Sequence, residues 1–150
     1  MSSEPCPDGI FLNSRLLPFT QAEVFAAFAD GSQLARWWGP DGFSNSFEIF
    51  EFRPQGRRKF VMHGPDGKNY PNENIFLETS PGRVVIRHDS QPHFTLSVTL
   101  EARDKQTLVE WKQAFEDPGV AAGIWHIIVP ANEKNLDRLH RVLAAQQALD

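Results

Sequence analysis

One cysteine, one tyrosine and no long apolar run are what this 150-residue chain has little of, and each scarcity excludes something. A lone Cys6 closes no internal disulfide, so packing must hold the fold. The thiol sits between Pro5 and Pro7, where a bystander is expected rather than a nucleophile. No stretch approaches the roughly 20 apolar residues of a membrane span. Residues 1–9 are polar, carry two prolines and lack the apolar centre of a signal peptide, so a flexible tail on a cytoplasmic protein is expected. Positive charge is also short: 15 Lys and Arg against 19 Asp and Glu leave a net charge of −4. That is no footprint of a nucleic-acid binder. The longest basic run, Arg57-Arg58-Lys59, reads as a solvated strand end. Reaction motifs are missing too. There is no Gly-x-Ser-x-Gly elbow, and Gly64-Pro65-Asp66-Gly67-Lys68 is too short for a phosphate loop and reads as a hairpin turn.

What is present is aromatic carbon. Twelve Phe and four Trp stand in a chain that is 41% hydrophobic and 23% charged, the balance of a folded globule. Phe and Trp carry large apolar area and little polar recognition. They build either a packed core or the wall of a pocket. Trp37-Trp38-Gly39-Pro40 is the sharpest local feature: two bulky rings beside a chain-turning Gly-Pro suit the mouth of a hollow fold.

The hydrophobic pattern predicts a strand over 10–19, then a helix opened by the capping box Thr20-Gln21-Ala22-Glu23 and broken by Asp30-Gly31-Ser32. A second short helix is expected over 33–38. Strands follow over 44–53, 58–63, 72–79, 83–88, 93–100 and 107–115, separated by Gly-, Pro- and Asp-rich turns. In 44–53 the inward face is ambiguous, and a bulge would shift it. Two strands alternate cleanly: Val84, Ile86 and His88 share one face, as do Phe94, Leu96, Val98 and Leu100. Val109, Trp111 and Phe115 share another, which leaves Glu110 towards solvent. Asp117 as N-cap and Pro118 at the first helical position start a long terminal helix. Its apolar stripe runs through Val120, Ile124, Ile127 and Ile128, then Leu136, Leu139, Val142 and Leu143, with Pro130 predicting a kink near His126. The expected class is α+β, a curved antiparallel sheet wrapped around one long helix in a single domain over 10–147, with a gap between sheet and helix.

Trp37-Trp38-Gly39-Pro40, Arg53-Pro54-Gln55-Gly56, Met62-His63-Gly64-Pro65-Asp66-Gly67 and Asn135-Leu136-Asp137-Arg138-Leu139, in this order of elements, resemble the Hsp90-ATPase-activator-homologue (AHSA1-like) family. That family belongs to the START/Bet v 1-like (SRPBCC) superfamily with its helix-grip fold. The resemblance covers residues 10–145 and implies binding of lipids, hormones or polyketides, with cyclase or aromatase activity in some members. The family often has Arg-x-Gly-Gly where Gln55 now takes the first glycine position, which implies a different backbone angle at that turn. The eukaryotic co-chaperone of the family carries an additional N-terminal domain. None is expected here, so stimulation of Hsp90 is not expected.

The five histidines form no pair at helical ligand spacing, and His88 with His93 would offer two ligands at best, so neither metal nor cofactor is expected. The pocket lining predicted from position and size is Trp37, Trp38, Phe60, Met62, Phe76, Trp111, Trp125 and Ile128, with His63, His88 and His126 as its polar groups. Any of these also suits a packed core. The leading expectation is a binder of a small hydrophobic or aromatic molecule, with no nucleic acid or membrane partner and a homodimer left open. The alternatives are a cyclase- or hydrolase-type enzyme using histidine or carboxylate acid–base chemistry, and a chaperone-related or other protein-interaction module. No catalytic residue is assigned.

Overall fold

The computed structural model describes residues 8–149. The tail expected over 1–9 and its Cys6 therefore lie almost wholly outside the described residues. Gly9 is buried, and its carbonyl accepts the Phe115 N–H at 3.0 Å. The elements run β1 (Ile10–Leu17), α1 (Gln21–Ala29), α2 (Gly31–Trp37), β2 (Ser44–Phe50), β3 (Arg57–His63), β4 (Asn69–Ser80), β5 (Arg83–His88), β6 (Phe94–Arg103), β7 (Gln106–Phe115) and α3 (Pro118–Leu149). The strands form one seven-stranded sheet in the order β1-β7-β6-β5-β4-β3-β2, antiparallel throughout. The architecture is α+β and helix-grip-like: β2 to β7 meander, β1 closes onto β7, and α3 packs against the sheet.

Local chemistry accounts for the helix starts. The Thr20 hydroxyl accepts the Glu23 N–H at 3.2 Å, and the Glu23 carboxylate accepts the Thr20 N–H at 2.8 Å. Asp30 closes α1 and also opens α2, its carboxylate accepting the Ser32 N–H at 2.9 Å. The residue read from sequence as a breaker is thus a cap, and α2 begins at Gly31 rather than at residue 33.

The anticipated bulge in β2 falls between Phe47 and Ile49, and β4 carries another between Phe76 and Glu78. Gln55 departs from expectation. It takes a φ of 67°, the left-handed region that glycine favours, with its N–H donated to the Phe76 carbonyl at 2.7 Å. Hydrogen bonding holds the strained residue in place. At Gly56 a Cβ would collide with the Glu51 carbonyl oxygen, so only glycine fits.

The main core lies between the inner sheet face, α1, α2 and the second half of α3. Trp37, Phe28, Phe60, Phe76, Leu136 and Leu139 are among its largest fully buried members. The helix continues unbroken through Pro130, but its two halves pack differently. Leu136, Leu139 and Leu143 are buried in the main core. The first half rests on a small separate cluster, Phe11, Phe115 and Ala121, joined by Ile124, Trp125, Ile128 and Val129. Contrary to the apolar stripe read from sequence, Val120 and Ile127 on that half are exposed.

Candidate functional site

Between the inner sheet face and the first half of α3 lies a pocket of about 580 Å³. Its origin is steric. Where α3 presents leucines, the space against the sheet is filled. Where it presents Ala131, Asn132 and Asn135, no large apolar side chain fills the gap, and the space stays open. Trp38, Phe43, Met62, Phe94, Trp111 and Phe115 supply most of the apolar wall. The Trp38 segment is tied to α3 from both sides. Asn135 accepts the Gly39 N–H at 3.2 Å and donates to the Trp37 carbonyl at 2.6 Å. The Arg138 guanidinium donates to the carbonyls of Arg36, Trp38, Gly39 and Pro40. Deeper in, Asn132 donates to Asn13 at 3.2 Å and to Gln113 at 3.0 Å, joining α3 to β1 and β7 through buried amides.

The residues expected from sequence to line a pocket divide. Trp38, Met62, His88, Trp111 and Ile128 border it. Trp37, Phe60 and Phe76 do not: they are fully buried core, and the Trp37 indole N–H is taken by the Ala27 carbonyl at 3.0 Å. Trp125 belongs to the small cluster under α3, and His126 is exposed on that helix. His63 follows Met62 on β3 and so points from the opposite sheet face, where its ring nitrogens meet Ser46 and Asn69, each at 2.8 Å. Neither His63 nor His126 therefore reaches the pocket.

His88 is the histidine at the pocket wall. Its ring stacks on Phe94 at 4.3 Å. Nδ1 lies 2.8 Å from the Pro92 carbonyl, which can only accept, so Nδ1 carries the proton. Nε2 faces the Asn72 side-chain amide at 2.6 Å. Burial lowers its pKa from the ordinary 6.5 against hydrogen bonds to the backbone of Pro92 and Ser90, and the charge of Arg58 pushes the same way as burial.

Arg58 is the correction of most consequence. Read as part of a solvated basic run, it is 2% exposed. Strand alternation explains this: Arg57 and Lys59 face outward, and Arg58 shares the inner face with Phe60 and Met62. Its Nε and Nη2 both donate to Asn74 Oδ1, at 2.9 and 2.5 Å, and its Cζ lies 4.2 Å from the centre of the Trp38 ring. A three-residue basic run does not reveal which cation turns inward unless the strand's face is assigned. Phe60 and Met62, both predicted to be inward, carried that assignment. Among the described residues no three His, Cys, Asp or Glu side chains gather as a metal site, and no helix is long and apolar enough to cross a membrane.

Solved structures share this architecture. A protein from Arthrobacter aurescens superposes with a TM-score of 0.85 at 21% identity, covering 92% of this chain and 87% of its own. One from Mycobacterium smegmatis gives 0.84 at 17%, over 96% of both chains. The AHSA1 protein from Silicibacter pomeroyi gives 0.75 at 19%, over 91% of this chain and 99% of its own. At such identities the likeness speaks for the fold alone. No curated protein matches the chain. The family described as activator of Hsp90 ATPase homolog 1-like protein matches residues 18–144, and with sheet, helices and connectivity in agreement, the chain belongs to that AHSA1-like family of the SRPBCC superfamily.

Proposed function

We propose that the protein binds a small hydrophobic or aromatic molecule in the pocket between the sheet and α3. The observation that carries this reading is an open volume of about 580 Å³ walled mainly by aromatic and aliphatic side chains, within the few hundred to 1,000 Å³ usual for small-molecule sites. A core that could close would not leave such a space, because every unfilled contact forfeits dispersion energy. Among the polar groups at its wall, His88, Gln113, Asn132 and Asn135 are held in place by neighbours, which suits them to orienting a guest.

Binding is favoured over acid–base catalysis. Of His63, His88 and His126, His88 alone borders the pocket, and no Asp or Glu is among the described lining residues. Both His88 nitrogens are engaged, so neither is free to take a proton from a substrate.

Titration with the neutral fluorophore N-phenyl-1-naphthylamine tests the proposal. Saturable binding of one molecule per chain is expected, abolished by Ala131→Phe, which fills the space under α3. Unchanged binding in Ala131→Phe overturns it, as does failure of the folded wild-type protein to bind either this probe or its anionic sulfonate analogue.

A further inference from the structure

The chain is net negative, yet the charged side chain sealed into its pocket wall is a cation. Arg58 sits on β3 with its guanidinium in an aromatic cage: its Cζ is 4.2 Å from the Trp38 ring centre, 4.8 Å from that of Phe60 and 5.9 Å from that of Phe76. A buried guanidinium normally meets a carboxylate, because the loss of hydration is otherwise uncompensated. Among the described residues Arg58 makes no ion pair. Its contact with Asn74 uses a neutral oxygen, and that one atom accepts from both Nε and Nη2. Nη1 has no acceptor.

Two further buried donors at the pocket wall share this condition. Asn74 turns Oδ1 to the guanidinium, which fixes the amide orientation and leaves Nδ2 without a partner. The Trp111 indole Nε1 is also unpartnered, and its ring packs 5.6 Å from that of Trp38, which covers the guanidinium. Arg58, Asn74 and Trp111 all border the pocket, and buried donors without acceptors are rare in folded proteins. With no acid beside it, Arg58 has its pKa pressed down by burial to about 9.

We propose that the ligand of this pocket is an organic acid: an apolar or aromatic body bearing one carboxylate or sulfonate, whose oxygens accept from Arg58 Nη1 and the Asn74 amide. This rests on the pocket being a binding site, and adds the chemical class of what it binds. The anion supplies the missing counter-charge, and a guanidinium meets a carboxylate in a fixed fork geometry. The aromatic wall then holds the body of the molecule. Because Nη1 is closed off from bulk water, the interaction is little screened by salt. An electrostatically steered surface site would behave otherwise.

Two probes with the same ring skeleton isolate the acid. 1-Anilinonaphthalene-8-sulfonate is anionic, and N-phenyl-1-naphthylamine is neutral. In the wild-type protein the anionic probe is expected to bind at least tenfold tighter, with little change between 50 and 300 mM salt. Arg58→Met keeps the volume and removes the charge; it should erase that preference while leaving the neutral probe bound. Asn74→Asp gives Arg58 a resident carboxylate and should also erase the preference, with a raised Tm, so a folding failure of the Met variant leaves the proposal open to refutation. Displacement of the anionic probe by decanoate or by 2-naphthoate, but not by decanol or 2-naphthol, separates an aliphatic from an aromatic acid. Equal affinities of the two probes in wild type, or a preference that survives both variants, overturns the acid proposal and leaves the binding site standing. Failure of both probes to bind overturns the two together.

Discussion

Trp37 and Trp38 are adjacent in the chain and belong to two differently built regions. Trp37 is fully buried, its indole N–H is satisfied, and it packs edge-on against Phe28 at 4.9 Å. Trp38 forms one wall of the pocket and covers a guanidinium. The same division runs through β5, β6 and β7. Val84, Leu100 and Val109 lie at the closed end, while His88, Phe94 and Phe115 lie at the open end on the same strands. On α3 the boundary falls between Asn135 and Leu136. The closed end is a conventional core of interlocked apolar side chains. The open end carries six of the eight buried polar side chains found among the described residues: Arg58, Asn74, His88, Gln113, Asn132 and Asn135. Apolar packing is therefore concentrated at one end and buried polar groups at the other, an arrangement in which unsatisfied groups can persist because the opposite end holds the fold.

The largest effect that tests this division is the loss of either tryptophan. Trp37→Ala should destabilise the protein by about 3–5 kcal/mol in urea unfolding, the range for a large aromatic removed from a packed core. Trp38→Ala should cost less than half as much and remove binding of N-phenyl-1-naphthylamine. Equal losses would break the comparison.

Asn135→Ala cuts the tie at the boundary. It strips partners from the Gly39 N–H and the Trp37 carbonyl, and about 1–3 kcal/mol of lost stability is expected per buried group left unsatisfied. Because that tie also positions Trp38, probe affinity should fall with it. Lost stability with unchanged affinity would show that the two ends are independent of this link.

The smallest effect is one of pH, and it belongs to the open end. The His88 pKa is held below the ordinary 6.5, first by burial and then by the charges of Arg58 and His93, against hydrogen bonds that raise it. Between the folded value and 6.5 the unfolded chain binds a proton that the folded chain does not. Stability from this group is therefore complete above about 6.5 and declines as pH falls through that window. Urea unfolding at pH 7.5 and 5.5 should show a smaller loss for His88→Gln than for wild type, the remaining histidines being common to both. An identical pH response in the two proteins would remove His88 from the account.

Much of the fold was legible in residues close together in the chain. The Thr20–Glu23 capping box and the Asp117-Pro118 helix start are local patterns, and β5, β6 and β7 alternate with a period of two that the structure keeps. The open end was legible only in part. Of the residues singled out from sequence, Trp38, Met62, His88, Trp111 and Ile128 border the pocket. Trp37, Phe60 and Phe76 are instead covered completely by neighbouring side chains, which size and hydrophobicity do not encode. Asn74, Gln113, Asn132 and Asn135 were passed over because amides carry no apolar signal, yet they line the part that the helix leaves empty.

Short-range chemistry therefore determined the order of strands and helices, their caps and turns, and the inward face of most strands, since each depends on residues within a few positions of one another. Tertiary structure alone decided where α3 meets leucine-filled space and where it leaves a hollow, and that the middle cation of a basic run is sealed beneath Trp38. Those outcomes depend on which side chains from distant strands come to stand opposite one another, and a linear pattern does not record that pairing.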